Sequence, residues 1–73
     1  IDMTRQRVSS SNIASVGYDS VLSILEVEFL NGSVYRYYDV PEILFKGLMS
    51  AASHGKYFNA LIKNGPYQYE KIY

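Results

Sequence analysis

Apolar and charged residues alternate through Leu25-Glu26-Val27-Glu28-Phe29, the pattern breaks at Leu30-Asn31-Gly32-Ser33, and alternation resumes in Val34-Tyr35-Arg36-Tyr37-Tyr38. A period of two marks a half-buried strand, and Asn31-Gly32 supplies a reversal, because glycine accepts a positive φ and asparagine tolerates turn geometry. Two hairpin registers compete. A two-residue loop of Asn31 and Gly32 puts Val34, Arg36 and Tyr38 on the face of Leu25, Val27 and Phe29, which buries an arginine. A three-residue loop from Leu30 to Gly32, a type I turn followed by a glycine bulge, sets Val27 opposite Tyr35, Leu25 opposite Tyr37 and Glu26 opposite Arg36. A slip of one residue exchanges the two sides of a strand, so the register that separates Leu25, Val27, Phe29, Tyr35 and Tyr37 from Glu26, Glu28 and Arg36 is the expected one.

Ile13 to Tyr18 alternates more modestly, with Ala14, Val16 and Tyr18 on one side, and Asp19-Ser20 reads as a tight turn into a strand from Val21 to Phe29. With Tyr18 opposite Val21, residues Ala14, Val16, Tyr18, Val21, Leu25, Val27 and Phe29 share the core face of a three-stranded antiparallel meander. The same count leaves Ile13, Leu22 and Ile24 on the reverse face. Either another part of the chain covers them, which is the preferred expectation, or a protein partner does. Residues 1–12, with Arg5, Arg7 and the run Ser9 to Ser11, read as a partly flexible arm or the approach to a strand.

Asp39-Val40-Pro41-Glu42 opens a helix that runs to about Ala52, with Asp39 or Val40 as its cap. Proline fits the first turn and an acidic residue suits the positive end of the helix dipole. Leu44, Leu48 and Ala51 form one stripe and Phe45, Met49 and Ala52 the next, while Gly47 costs about 1 kcal/mol against alanine and so marks a close approach. Ser53 caps a second helix from His54 to Lys63, in which Tyr57 and Leu61, and Phe58 and Ile62, recur at four-residue spacing. Asn64-Gly65-Pro66 ends it. Tyr67 to Tyr73 alternates again as a short strand or extended tail at a sheet edge or across a face. The expected architecture is α+β: the meander, two short helices packed on one of its faces, and this tail.

Seventy-three residues make one domain, and 48% hydrophobic with 15% aromatic residues suffices for a packed layer of helices on a sheet. With no cysteine, neither a disulfide framework nor a thiolate metal site is available. No membrane-spanning run or signal peptide is visible, so a cytoplasmic location and no membrane association are expected. Ile1 and Asp2 precede Met3 and read as a remnant ahead of a natural start. Formal net charge is zero, though residues 1–39 are net acidic and residues 40–73 net basic, so no global field draws the chain to a polyanion.

Enzyme chemistry is poorly supported. The single histidine, His54, adjoins Ser53 in sequence, and helix geometry splays such neighbours apart. One histidine among scattered carboxylates has no metal-ligand spacing, so neither metal nor cofactor is expected. Gly55-Lys56 lacks the upstream glycine of a phosphate loop. The pair Tyr35-x-Tyr37 invites comparison with RNA-stacking platforms, but the favoured register turns both rings inward, their hydroxyls seeking a partner or an outlet at the sheet margin. Tyr38 points outward beside Arg36. Ser53, His54, Gly55, Lys56 and Asn59 cluster at the helix junction, where free amides and a lysine suit a phosphate or carboxylate. The plainer reading, which is favoured, makes Ser53 a cap and Asn59 a pin on a neighbouring loop.

Several motifs in order resemble one family. They are Ser10 and Ile13 before Val16-Gly17-Tyr18-Asp19; Leu25-x-Val27-x-Phe29 followed by Asn31-Gly32; Tyr35-Arg36-Tyr37; Val40-Pro41; Ala52-Ser53; and Gly55-Lys56-Tyr57-Phe58-Asn59. From Val8 to Ile72 the chain resembles the KTSC domain, which takes its name from the C-terminal extension of some lysyl-tRNA synthetases and also occurs as a small bacterial or phage protein. No established activity attaches to that family. The resemblance implies an RNA-binding accessory role by way of the synthetase context, with weak affinity given the zero net charge. Candidate binding residues are Arg36, Tyr38, Ser53, His54, Lys56, Asn59 and Lys63. The competing expectation is a protein-interaction or self-association module using Ile13, Leu22, Ile24 and the aromatic tail, and the residues do not rank the two.

Overall fold

The computed structural model describes residues 3–73, so Ile1 and Asp2 lie outside the described residues. Five strands, β1 (Gln6–Arg7), β2 (Ile13–Asp19), β3 (Ile24–Phe29), β4 (Val34–Tyr37) and β5 (Tyr69–Lys71), pair antiparallel in sequential order. Two helices, α1 (Glu42–Ser50) and α2 (His54–Phe58), lie between β4 and β5, and α2 continues as a π-helical turn over Asn59–Lys63. The expected three-stranded meander is thus the centre of a five-stranded sheet. Of its two added edges, β5 is the short C-terminal strand expected from the alternation of Tyr67 to Tyr73, while β1, two residues long, is too short to show a period of its own.

The β3–β4 register is the bulged one, with Leu25 opposite Tyr37, Glu26 opposite Arg36 and Val27 opposite Tyr35. Gly32 closes the loop at φ +94°, its N–H donating to the Phe29 carbonyl at 2.9 Å, while the Phe29 N–H donates to Ser33. Asn31 Oδ1 accepts from the Ser33 N–H at 3.0 Å and hydroxyl at 2.7 Å, which stiffens the turn.

The β2–β3 connection differs from the expected tight turn. Tyr18 faces Leu25 rather than Val21, and a four-residue loop, Ser20 to Ser23, joins the strands. Asp19 Oδ1 accepts from the Val21 and Leu22 N–H groups at 2.9 Å, and Ser23 takes φ +57°. The register moves by an even number of residues, so the faces of β3 are kept, but Val21 leaves the core and stands 88% exposed. A bulge at Ala14, between the pairs Ile13–Phe29 and Ser15–Glu28, carries Ile13 off the reverse face into the interior, where it is fully buried. Of the reverse-face apolar trio, then, Ile13 belongs to the core, Ile24 is buried and Leu22 is half exposed in the loop.

Both helices pack on the tyrosine face, where Leu48, Phe58 and Ile62 close over Ile13, Val16, Leu25, Val27, Tyr37 and Val40. Helix α1 begins after Pro41, which takes the cap position in extended conformation without a side-chain cap, so neither Asp39 nor Val40 serves. Asp39 instead carries the turn out of β4 at φ +58°. Tyr18 stacks on Phe45 at 5.1 Å and 10°, and its hydroxyl donates to the Val40 carbonyl, tying β2 to the start of α1. Gly47 answers the expectation of close packing: a Cβ there would fall 2.7 Å from Cζ of Tyr57.

The opposite face carries a row of charge. Glu26 is buried, its Oε1 accepting from Arg36 Nε at 2.8 Å and its Oε2 from Arg5 Nη1 at 2.9 Å. Gly17 lies between Arg5 and Glu26, and a Cβ there would come within 3.0 Å of Arg5 Cγ and 3.1 Å of the Thr4 carbonyl. Glycine is what lets the arginine cross β2. A buried carboxylate is tolerable only when its charge is paired and hydrogen-bonded, a condition both oxygens meet here. Glu26→Gln is therefore expected to cost about 2–3 kcal/mol, just under the range for fully buried pairs because both guanidinium groups keep contact with water. Urea denaturation measures it, and a loss below about 0.5 kcal/mol, the scale of an ordinary surface substitution, would show that the arm and β4 hold without the charge.

Candidate functional site

At the end of the sheet nearest the Asn-Gly loop the helices do not cover the tyrosine face, and a cleft of about 700 Å³ opens there. Phe29, Phe58 and Tyr37 lie at its base, Tyr35 and Tyr69 along its side, and Ser11, Asn12, Leu30, Asn31, Ser33, Asn59, Lys63 and Asn64 complete the lining. Its lining is drawn from distant parts of the chain: the turn before β2, the end of β3 with the β3–β4 loop, β4, the end of α2 with the π turn, and β5.

The aromatic part is cross-strand packing carried to the sheet edge. Tyr37 and Tyr69 are directly opposed on β4 and β5, and their rings stack at 5.4 Å and 30°. Tyr35 adds to the stack at 6.5 Å from Tyr37 and 6.1 Å from Tyr69, while Phe58 meets Tyr37 edge-on at 5.3 Å. Burial decreases outward: Tyr37 is 4% exposed, Tyr35 half-buried and Tyr69 62% exposed. Burial raises the Tyr37 phenol above its ordinary pKa, and the neighbouring Tyr69 and Tyr35 phenols raise it further. The inward turn of the tyrosine pair is as the register requires, with the sheet margin serving as the outlet.

The polar part depends on the π turn. The Asn64 N–H donates to the Asn59 carbonyl at 3.2 Å, five residues back. In an α-helix, residues five apart are rotated by about 140°; the wider turn stacks them instead, so Asn59, Lys63 and Asn64 reach the same cleft. The side chains of Asn59, Lys63 and Asn64 make no hydrogen bond or ion pair with any described residue. Asn59 is therefore not the loop pin that the plainer reading of the sequence made it. Among the described residues, Lys63 is the one charged residue of the lining, and no carboxylate lines the cleft beside it.

The other candidates lie elsewhere. Ser53 caps α2, its Oγ accepting from the Lys56 N–H at 3.3 Å. His54 Nδ1 lies 2.7 Å from the Leu48 carbonyl, and since a carbonyl only accepts, that nitrogen carries the proton and binds α2 to the end of α1. Lys56 is exposed at the junction. Arg36 and Tyr38 are on the reverse face, where Arg36 holds Glu26 and the Tyr38 hydroxyl donates to Glu70 Oε1 at 2.8 Å. That hydrogen bond is the main cause of the raised Tyr38 pKa, with burial and the Glu70 charge acting the same way and Arg36 opposing. The seven candidates thus occupy three places, and only Asn59 and Lys63 enter the cleft. Sequence reasoning passed over Asn12, Asn31, Asn64 and Tyr69 as lining groups, since each has a turn, cap or tail position that explains it without a ligand.

A sequence profile of the KTSC domain matches residues 9–69. The chain belongs to the KTSC domain family. This KTSC domain superposes on the crystal structure of a KTSC domain protein from Yersinia pestis with a TM-score of 0.89 at 42% identity, covering 99% of this chain and all of that one. An uncharacterised protein of Stutzerimonas stutzeri is 43% identical over 70 residues, 96% of this chain and 99% of the relative. A lysine–tRNA ligase of Trichormus variabilis is 40% identical over 62 residues, which are 85% of this chain and 11% of the ligase. The KTSC domain therefore spans a small part of that enzyme, and nothing in the family membership indicates a catalytic function. No helix of the described residues is long and apolar enough to cross a membrane.

The raised Tyr37 pKa has a consequence for stability. The folded chain favours the neutral phenol, so the unfolded chain loses its proton first as pH passes about 10, and stability falls from there upward. Thermal unfolding between about pH 8 and 11 is expected to show a steeper decline for the wild-type chain than for Tyr37→Phe, with Tyr38 supplying a remainder in both. Parallel curves would mean that the Tyr37 hydroxyl is as free as in the unfolded chain.

Proposed function

We propose that this KTSC domain is a non-enzymatic accessory module that binds RNA, with tRNA as the first substrate to try, through the tyrosine cleft. The observation that carries the reading is the lining itself: three tyrosines in mutual contact, Tyr37 stacked on both Tyr35 and Tyr69, beside amides without a partner among the described residues and one lysine, with no carboxylate among the described residues of the lining to repel phosphate. Aromatic faces that accept bases irrespective of sequence, next to basic groups that follow the backbone, are the parts from which single-strand binders are made. Similarity to a segment of lysine–tRNA ligases supports the choice of RNA. With Lys63 in the cleft and Lys71 exposed on β5 opposite Tyr35, about two phosphate contacts are available, which gives modest affinity.

A second reading, association with a protein or another copy, draws on Val21 at 88% and Ile43 at 72% exposure together with half-exposed Leu22. It places the partner away from the cleft, so the two readings predict different footprints.

Titration of the chain with tRNA over a salt series tests the first reading. Binding is expected at low salt, with log affinity falling against log salt at a slope of roughly −1.5 to −2. Absence of binding at low salt, or affinity indifferent to salt, would remove phosphate contacts from the account.

A further inference from the structure

We infer that the cleft is a pocket for one unstacked nucleobase of a single-stranded RNA, laid against Tyr69 and Tyr35, with its edge met by Asn59 and Asn64 and its phosphate by Lys63. This deepens the RNA-binding reading above and rests on it.

Size and charge narrow the ligand first. A cleft of about 700 Å³ is within the range of roughly 300–1,000 Å³ that small-molecule pockets occupy, enough for a nucleotide unit. Duplex RNA is held mainly by its shape, through phosphate and 2′-hydroxyl contacts spread over two grooves, and a lining with a single cation offers no such track. A free phosphate or carboxylate is equally ill served, since Lys63 would be its one charged partner among otherwise amide, hydroxyl and aromatic groups.

Stacking and edge chemistry then point to a base. Tyr69 keeps 62% of its surface exposed, although its ring is already ordered against Tyr37 at 5.4 Å and 30° and against Tyr35 at 6.1 Å. A phenol held in place by two others loses little freedom when a flat ring is added, which is the condition for stacking to contribute fully. Asn59 and Asn64 each offer a donor and an acceptor with no partner among the described residues, and the π turn presents both to the same space. A side-chain amide matches the paired donor and acceptor of a base edge, an edge open to a protein only where the base is unpaired.

The experiment is amide chemical-shift mapping of the full chain with the four ribonucleoside monophosphates, short single-stranded oligoribonucleotides, a blunt RNA duplex and tRNA. Single strands are expected to move Tyr35, Asn59, Lys63 and Tyr69, and to bind about tenfold or more tightly than the duplex. Tyr69→Ala is expected to weaken single-strand binding about tenfold or more. Asn59→Ala, at an exposed side chain without a partner among the described residues, leaves the fold intact; it is expected to weaken binding about tenfold and to change the order of preference among the bases. If the duplex binds as tightly, or Asn59→Ala changes neither affinity nor preference, the base pocket is wrong and the RNA-binding reading stands; if tRNA binds but the shifts lie outside the cleft, the base pocket is wrong and so is the cleft as the RNA site. If monophosphates occupy the cleft while no RNA binds, the pocket holds and the RNA-binding reading falls.

Discussion

The carboxylate of Glu26 is the constraint from which the rest of the sheet follows. It is buried, and a buried anion is stable only where cations reach both oxygens. Arg36 can reach it only if it stands directly opposite on β4, and Arg5 only if the intervening position on β2 has no side chain. One acidic residue thus sets the register of three strand pairs at once, with Gly32 and Gly17 supplying the two backbone permissions the arrangement needs.

Because strands have two faces, satisfying Glu26 on one side decides what the other side receives. Tyr35 and Tyr37 turn toward the helices, and β5 brings Tyr69 alongside. Helix α2 and the π turn after it seal the deep end of this aromatic row through Phe58 and Ile62, both buried, but the chain leaves the sheet before the shallow end is covered. The cleft is therefore a by-product of a large aromatic set under short helices. The π turn makes it polar by directing side chains inward that a regular helix would spread around its circumference.

Much of this was legible in the chain. The sorting of Glu26, Glu28 and Arg36 from the tyrosines is a two-residue rhythm that survives inspection, and Ser53 as a cap and Asn64-Gly65-Pro66 as a terminator are local chemistry. What strict alternation misread was Ile13: an apolar residue out of phase with Val16 looks like an exposed anomaly, whereas one extra residue at Ala14 restores it to the interior. The alternation after Pro66 marks β5, but β1 was hidden for another reason, since a strand of two residues is held by backbone pairing and carries almost no side-chain pattern. The cleft was hardest to foresee. Asn12, Asn31 and Asn64 look fully employed as turn formers, and only the folded chain shows that distant turns converge on one opening.

Strand order and chain order coincide, so the first strand and the last occupy opposite margins of the sheet. Four interstrand spacings separate them by about 19 Å. Polypeptide joined ahead of β1 would depart from one margin and polypeptide joined after β5 from the other, so the strand order sets two attachment points on opposite sides of the sheet. The tyrosine margin travels with the downstream neighbour, and a fusion on that side sits beside the cleft while one on the upstream side leaves it open.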